Sequence, residues 1–342
     1  MILPFKSGVF QFRLAARDPL SLPPYKGSTL RGGFGTAFKK VVCAVRTKDC
    51  LQCLLKEKCV YSYVFETPPP KDSEILRKYE KAPHPFIIEP PLEDKTEYKP
   101  GDSLDFHLVL IGKALDYLPY FIYTFEELGT IGIGKGRGKF ELLEVRHGDR
   151  TIYQSTDKKL QSIPDSDFSS SSVFNGQNGS GDFHGLDNSN GGPSLSLNFL
   201  TPTRMIVDGK LVTEPDFHHL ARTLLRRIST LSYFHCDKRL DLDFKGLIEK
   251  AKKVKTLDRK TTWHDWERYS ARQDTKMKMG GFVGKITFEG ELGEFMKFIE
   301  LGERLHVGKG TSFGLGKYII TFRKFSFNRS TPILFQAEKA NF

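Results

Sequence analysis

Two segments of the sequence combine glycines with closely spaced cations, a pattern that suits binding of phosphate. The glycines and cations of the first segment are Gly132, Gly134, Gly136 and Gly138 with Lys135, Arg137 and Lys139. Those of the second segment are Gly308, Gly310, Gly314 and Gly316 with Lys309 and Lys317. Because glycine has no Cβ, its backbone can approach a ligand closely, and the neighbouring cations can then meet phosphate oxygens. Both segments therefore predict a phosphate-bearing ligand.

Two common nucleotide-binding motifs do not fit these segments. A dinucleotide-binding fingerprint places its glycines between a strand and a helix, whereas each segment here follows a helix and enters a strand. A P-loop requires Ser or Thr after its Gly-Lys pair, but Gly316 and Lys317 are followed by Tyr318. The alternative for each segment alone is that its glycines only permit a tight turn from helix to strand.

The two halves of the chain repeat the same order of predicted elements around these segments. Strands are predicted at Ser103–Ile111 and Phe282–Phe288, and each precedes a helix, a glycine-rich segment and another strand. Each half also begins with a strand and a helix, with strands at Val9–Ala16 and Leu195–Leu200. A further strand near Phe86 completes the order βαββαβ in the first half. The sequence predicts an α+β protein with two tandem ferredoxin-like (RRM-like) domains, although the lysine-rich stretch 240–260 favours a helix.

A segment rich in Ser, Asn and Gly separates the two halves. Residues 155–193 hold few apolar side chains, so we predict a flexible linker there. The first domain is then expected at 1–154, the second at 194–330 and a C-terminal tail at 331–342.

The composition favours a polyanionic partner. Lys and Arg number 52 against 41 Asp and Glu, for a net charge of +11, and cations gain affinity for phosphates by releasing condensed counterions. No run of about 18 apolar residues is present, and the N-terminus lacks the pattern of a secretory signal. We expect a cytoplasmic protein without membrane contact.

Four of the five cysteines lie close together in the first half. They are Cys43, Cys50, Cys53 and Cys59. In a cytoplasmic protein such clustering favours a metal over disulfides, and four thiolates suit a closed, structural zinc site. An iron–sulfur cluster and free thiols are the alternatives.

The chain resembles the RAMP superfamily (repeat-associated mysterious proteins) of CRISPR systems, specifically the endoribonucleases that process precursor CRISPR RNA. The segments that carry the resemblance are YKGSTLRGGFGTAF, WHDWERYSARQDTKMKMGGFVG and HVGKGTSFGLGKY. The resemblance implies binding of the CRISPR repeat RNA and cleavage without a catalytic metal or DNA. The 2′-hydroxyl attacks the adjacent phosphate and leaves a 2′,3′-cyclic phosphate and a 5′-hydroxyl. The alternatives are an inert RAMP subunit of an effector complex and a zinc-stabilised protein adaptor.

This reaction requires a base, an acid and cations around the phosphorane. Relatives often place a catalytic histidine near the first helix, but the first histidine of this chain is His84. We predict His306 as general acid or base because it directly precedes the second glycine-rich segment. The remaining catalytic candidates are Tyr25, His235, Tyr269 and Lys309. The structural alternatives are a helix-capping His306, a satisfied His235 and a packed Tyr25.

Further RNA-binding residues are expected on the first helix and in the segment after Trp263. On the helix the resemblance points to Arg31, Lys39 and Lys40. After Trp263 the basic stretch with an aromatic residue predicts contacts from Arg268, Arg272 and Gln273. The glycines and cations of both glycine-rich segments complete the predicted interface.

Overall fold

The computed structural model describes residues 5–46, 49–50, 52–69, 73, 81–168, 194–265, 267–270 and 275–324. For 267–270, 275–278 and 322–324 it describes the backbone only. Arg272 and Gln273 of the predicted interface, most of the predicted linker and the predicted tail lie outside these ranges.

The first domain is one antiparallel sheet covered by two helices. Its elements are β1 (Ser7–Ala16), β2 (Leu20–Ser21), α1 (Gly27–Val42), β3 (Phe86–Glu89), β4 (Glu97–Tyr98), β5 (Ser103–Ile111), α2 (Leu118–Ile131), β6 (Phe140–His147) and β7 (Arg150–Gln154). The sheet has the order β3-β5-β1-β6-β7, and β2 pairs with β4 apart from it. In β5 the predicted and observed strand bounds coincide.

The second domain repeats this plan with additions. Its elements are β8 (Ser194–Thr203), β9 (Met205–Val207), β10 (Lys210–Val212), α3 (Phe217–His235), α4 (Phe244–Ala251), β11 (Lys255–His264), β12 (Glu267–Ser270), β13 (Thr275–Lys278), β14 (Gly281–Glu289), α5 (Met296–Leu305) and β15 (Tyr318–Lys324). The main sheet has the order β11-β14-β8-β15, and β12 and β13 form a separate hairpin. The stretch 240–260 thus holds a helix, as expected, and also most of a strand, β11.

Both main sheets have the ferredoxin-like strand order. When the strands are counted within each βαββαβ unit, the order is second, third, first, fourth in both domains. The predicted α+β class and the two tandem ferredoxin-like domains are confirmed. The glycine-rich segments occupy the same place in each domain, between the second helix of the unit and its fourth strand.

The core of the first domain is largely aromatic. Alternation along β1 turns Phe10 and Phe12 toward the helices, where both side chains are fully buried. Phe34 of α1 stacks on Phe121 of α2 with ring centroids 4.9 Å apart. These contacts hold α1 against the sheet and fix the position of its N-terminal end.

The two domains share a second core. The opposite face of the first sheet contributes Ile87, Val109 and Ile111 to a buried cluster that includes Leu195 and Leu197 of the second sheet. Because strand residues alternate between faces, β3 and β5 serve both cores at once. This shared core sets the second domain against β3.

The beginning of the predicted linker differs from the expectation. Residues 155–168 are described, and Phe168 is buried with its ring centroid 6.2 Å from that of Phe10. Ile163 also packs against the first core, so apolar side chains anchor this part of the segment to the first domain. In the described part of the chain, no helix combines the length and apolar character needed to cross a membrane.

Candidate functional site

The second glycine-rich segment, residues 307–317, is named loop 2, and it packs against the start of α1. The hydroxyl of Tyr25 donates a hydrogen bond to the carbonyl oxygen of Phe313 over 2.8 Å, and burial raises the pKa of this tyrosine. A Cβ at Gly27 would overlap the same carbonyl. Loop 2 therefore closes the junction between the two domains, and Tyr25 serves as a packed contact there.

Arg31 of α1 is the central cation of this junction. Its Nε donates to the hydroxyl of Ser312 over 2.9 Å, and its guanidinium carbon lies 4.5 Å and 4.3 Å from the ring centroids of Phe65 and Phe313. A guanidinium between two aromatic faces gains both cation–π attraction and packing. Arg31, predicted as an RNA contact, is thus engaged with loop 2.

His84 completes the surroundings of Arg31 as a neutral ring. The hydroxyl of Thr67 donates to the carbonyl of Ala82, so it accepts from Nδ1 of His84, 3.1 Å away. Nε2 then presents its lone pair to the guanidinium of Arg31 over 3.0 Å. Burial and the charge of Arg31 hold the pKa of His84 well below its ordinary value.

A buried ionic cluster fixes both ends of loop 2 to strand β3. Nε2 of His306 lies 2.8 Å from Oε1 of Glu89, and Nζ of Lys317 lies 2.6 Å from Oε2 of the same carboxylate. Nδ1 of His306 faces the carbonyl oxygen of Leu315 at 3.1 Å. Both ring nitrogens of His306 thus face acceptors inside the protein.

The electrostatics of Glu89 agree with this pairing. Burial alone raises the pKa of Glu89, but the hydrogen bonds and charges of His306 and Lys317 outweigh that effect and lower it to about 2. The carboxylate is therefore ionised at neutral pH. It pairs with both His306 and Lys317 in a place with little solvent.

The position of His306 bears on its predicted catalytic role. The side chain is fully buried, its backbone adopts a positive φ of 59° at the end of α5, and both ring nitrogens are engaged. In this arrangement its geometry favours positioning loop 2 over proton exchange with a substrate. His306 is the residue that caps the C-terminal end of α5, in agreement with the structural alternative to a catalytic role.

Lys309 is the predicted catalytic residue that loop 2 presents to solvent. Its side chain is exposed, while its backbone N–H donates to the carbonyl of Arg204 over 2.8 Å. The glycines on either side, Gly308 and Gly310, both adopt positive φ. The loop is thus held by its backbone and leaves one ammonium group outward.

His235 lies in the interface as a satisfied, neutral histidine. Its Nε2 donates to the carbonyl of Pro83 over 2.8 Å, and its Nδ1 accepts from the hydroxyl of Tyr63 at 3.1 Å. Burial lowers the pKa of His235 to about 4. The structural alternative to its catalytic role is what the geometry supports.

The first glycine-rich segment, residues 132–139, is named loop 1 and differs from loop 2 in its surroundings. The side chains of Lys135, Arg137 and Lys139 are all exposed. The backbone N–H of Lys135 donates to the carbonyl of Ser21 over 2.9 Å, and Cβ atoms at Gly134 and Gly138 would overlap the carbonyls of residues 21 and 19. Loop 1 rests on its own domain and directs three cations to solvent.

The other predicted RNA-binding residues are not gathered at one place. On α1, Lys40 is exposed, whereas Nζ of Lys39 lies 5.5 Å from the ring centroid of Tyr61. Arg268 and Tyr269 belong to β12, whose backbone alone is described.

The four clustered cysteines are reduced thiols of intermediate exposure. Cys50 and Cys59 pack against the core of the first domain. Among the described residues, one group of three could present metal-ligand atoms within 4.8 Å of one another. This group is Asp216, His218 and His219, and it includes no cysteine. Zinc at the four cysteines stays a prediction from their spacing.

Sequence reasoning missed two residues of the junction, Glu89 and His84. A glutamate that ends an otherwise apolar strand, FIIE, is a signal that could have marked Glu89, because a buried carboxylate requires a cation. Nothing in the sequence near His84 pairs it with Arg31, which is 53 residues away.

Comparisons of the sequence with known families match both halves of the chain. Residues 5–165 match the family AF_1859_N, described as an N-terminal domain, and residues 197–318 match "CRISPR-associated endoribonuclease Cas6". An uncharacterised protein of Archaeoglobus fulgidus is 27% identical over 124 residues, which are 36% of this chain and 40% of that protein. The match therefore spans about two fifths of the length of this curated relative.

Solved structures match nearly the whole chain. A Cas6 product complex has a TM-score of 0.54 and 15% identity, covering 92% of this chain and 100% of its own. Cas6 of Thermus thermophilus has a TM-score of 0.50 and 15% identity, covering 93% and 99%. A partial Cas6-RT-Cas1–Cas2 complex has a TM-score of 0.54 and 12% identity, covering 95% of this chain and 47% of that one. At these identities the likeness shows the fold.

The chain thus shares its tandem fold with these solved structures, and its second domain matches a family of CRISPR-associated endoribonucleases. The second domain carries the match to the Cas6 endoribonuclease family, so the resemblance to CRISPR RNA-processing endoribonucleases is confirmed.

Proposed function

We propose that this protein binds the repeat of precursor CRISPR RNA and cleaves it by attack of the ribose 2′-hydroxyl, without a metal ion. The products are a 2′,3′-cyclic phosphate and a 5′-hydroxyl. The match of residues 197–318 to the Cas6 endoribonuclease family carries this proposal. The net charge of +11 supports it, because repeat RNA is a polyanion.

The junction suggests how the chain's own residues divide the work. The exposed ammonium of Lys309 can neutralise charge that develops on a phosphorane, while Glu89, His306 and Lys317 hold the loop that carries it. We keep Tyr269 as a candidate for proton exchange with the RNA. In this assignment His306 acts as a positioning residue.

The alternative function, an inert RAMP subunit that only holds CRISPR RNA in an effector complex, is favoured by one observation. Three histidines near the junction, His84, His235 and His306, each have both ring nitrogens engaged within the protein. A free imidazole is the commonest proton-transfer group. Their engagement would suit a protein that binds RNA and leaves it intact.

The first test is incubation of the purified protein with its cognate repeat RNA in the presence of EDTA, followed by identification of the product termini. We expect a cyclic phosphate from the wild type and a strongly reduced rate in Lys309→Ala and Tyr269→Phe. Lys159→Ala, an exposed cation after β7, is the matched control. Tight binding without cleavage would establish the inert subunit, and a strict requirement for a divalent ion would overturn the proposed mechanism.

We also propose that the four clustered cysteines hold a structural zinc ion, because thiolate donors in a C-x-x-C pair suit it. We expect about one zinc ion per chain by elemental analysis of the purified protein. The double variant Cys50→Ser, Cys53→Ser should lose it, whereas Cys236→Ser should retain it because this cysteine lies outside the cluster. A visible absorption band from bound iron would instead establish an iron–sulfur cluster.

A further inference from the structure

A groove of about 780 Å³ lies between α3 and α4. Its floor includes the apolar side chains of Leu225 and Ile248, and its lining includes no residue of loop 2 or of the α1 junction. A concave volume of this size suits a ligand of one or two nucleotides. The proposed cleavage chemistry makes no use of it.

Cations outnumber carboxylates in this groove. Arg222 and Arg226 lie four residues apart on α3, and helical spacing places both side chains on the same face. Helix α4 contributes Lys245 and Lys252 from the other side. The two carboxylates of the groove each accept from one of its cations, Asp208 from Arg222 over 2.9 Å and Glu249 from Lys252 over 2.8 Å.

An aromatic ring stands in the groove beside these charges. Phe244 is the first residue of α4 and keeps 39% of its surface exposed. An exposed phenylalanine ring offers a flat face to a ligand, and nucleobases stack on such faces irrespective of their sequence.

Of the two histidines at the end of the groove, His219 has a structural role. Asp216, His218 and His219 place ligand atoms within 4.8 Å of one another. However, Nδ1 of His219 accepts from the backbone N–H of Asp216 in a capping box, and the carboxylate of Asp216 accepts from Arg259 and Thr256. Because these nitrogen and oxygen atoms already accept hydrogen bonds at the N-terminal end of α3, we assign no metal ion to them.

We infer that this groove binds a single-stranded segment of RNA that flanks the processed repeat. A base stacks on Phe244, and Arg226 and Lys245 contact the phosphates on either side of it. This inference rests on the proposed function, since that function brings RNA to the protein. Cationic grooves with an exposed aromatic platform are how proteins hold single strands without reading their sequence.

The test compares two fluorescent RNAs by anisotropy, the cognate repeat alone and the repeat with single-stranded extensions. Both carry a 2′-deoxy substitution at the scissile nucleotide, so they bind without being cut. We expect the extensions to tighten wild-type binding about tenfold. Phe244→Ala and Lys245→Ala should lose this gain while binding the bare repeat as the wild type does, and Phe244→Tyr should keep it.

Lys159→Ala controls for the loss of one exposed cation elsewhere, and thermal unfolding confirms that each variant folds. An equal gain from the extensions in the wild type and Phe244→Ala overturns the inference and leaves the proposed function untouched. If the wild type neither binds nor cuts repeat RNA, the proposed function fails. In that case binding of an oligouridylate of about ten nucleotides decides on the groove: Phe244-dependent binding supports it, and no binding overturns it.

Discussion

Loop 1 and loop 2 have the same place in their domains and similar sequences, yet their surroundings are opposite. Loop 1 rests on its own domain and exposes Lys135, Arg137 and Lys139. Loop 2 lies between the domains, where Lys317 and the preceding His306 pair with the buried carboxylate of Glu89.

The glycines of the two loops have the same structural role, which is to allow close approach of backbone segments. A Cβ at Gly132 would overlap the carbonyl of Arg137, and one at Gly316 would overlap the carbonyl of Val307. In both cases the close approach is to the protein's own backbone. The glycines therefore shape a tight connection between helix and strand, and the cations determine what each loop can bind.

The largest expected effect is on the buried cluster of loop 2. Glu89→Ala leaves His306 and Lys317 without their buried carboxylate partner, which should lower the free energy of unfolding by about 3–5 kcal/mol. The measurement is urea denaturation at pH 7. The loop 1 control is Asp18→Ala, because Asp18 is an exposed carboxylate that accepts from the backbone N–H of Lys139 in that loop. It should cost less than about 1 kcal/mol. Equal losses in the two variants would contradict the contrast between the loops.

We also expect the free energy of unfolding to depend on pH through the domain interface and not through loop 1. His235 has a folded-state pKa of about 4, below its unfolded value of about 6.5. Folding favours the neutral form of His235. Its contribution to the free energy of unfolding is therefore complete above pH 6.5 and is lost as the pH falls toward 4. The loss is about 3 kcal/mol. Glu89, with a folded pKa of about 2, loses its contribution only between about pH 4.3 and 2.

Unfolding free energies at pH 7 and pH 4.5 separate these two groups. His235→Gln keeps a donor and an acceptor for Pro83 and Tyr63 without titrating. It should make the dependence in this range shallower without abolishing it, because the pKa of His84 is also lowered by burial. His264→Gln makes the same substitution at an exposed histidine of β11 and serves as the matched control. An unchanged slope in His235→Gln would show that another group carries the response.

A smaller effect distinguishes glycines within the loops. Gly316 and Gly136 both adopt positive φ, 74° and 82°, but a Cβ at Gly136 would meet no atom within 4 Å. We expect Gly316→Ala to lower the free energy of unfolding by about 2–3 kcal/mol and Gly136→Ala by about 1 kcal/mol, the cost of the left-handed backbone alone. Chemical denaturation of both variants provides the measurement. A cost for Gly136→Ala as large as for Gly316→Ala would mean that loop 1 is packed closely at position 136 as well.

The periodicity of the sequence was sufficient for the architecture. Alternation predicted β5 and β14, helical spacing predicted α2, and the repeat of these elements predicted both ferredoxin-like domains. Strand β11 was not foreseen because its many charged and polar residues, as in KTLDRKTTWH, hide the alternation of an edge strand.

The chemistry of the junction was less predictable because it depends on pairs distant in the sequence. His306 was identified from its position before loop 2, but its partner Glu89 is 217 residues away. No local pattern reports that a histidine will meet a carboxylate across a domain interface. For the same reason Arg31 could be identified as important on α1, whereas its sandwich between Phe65 and Phe313 required the structure.

The last prediction concerns what loop 1 binds. Replacing Lys135, Arg137 and Lys139 together by alanine should leave the free energy of unfolding within about 0.5 kcal/mol of the wild type, because these side chains are exposed. If they contact the phosphates of repeat RNA, affinity should fall about tenfold or more. The slope of log affinity against log salt should then become shallower by about 2. The reason is that binding releases fewer counterions when phosphate contacts have been removed. Filter binding over a series of salt concentrations measures both. The double variant Lys158→Ala, Lys159→Ala removes exposed cations outside either loop and is the control. If it loses as much affinity for RNA as the loop 1 variant, the effect comes from net charge and not from loop 1.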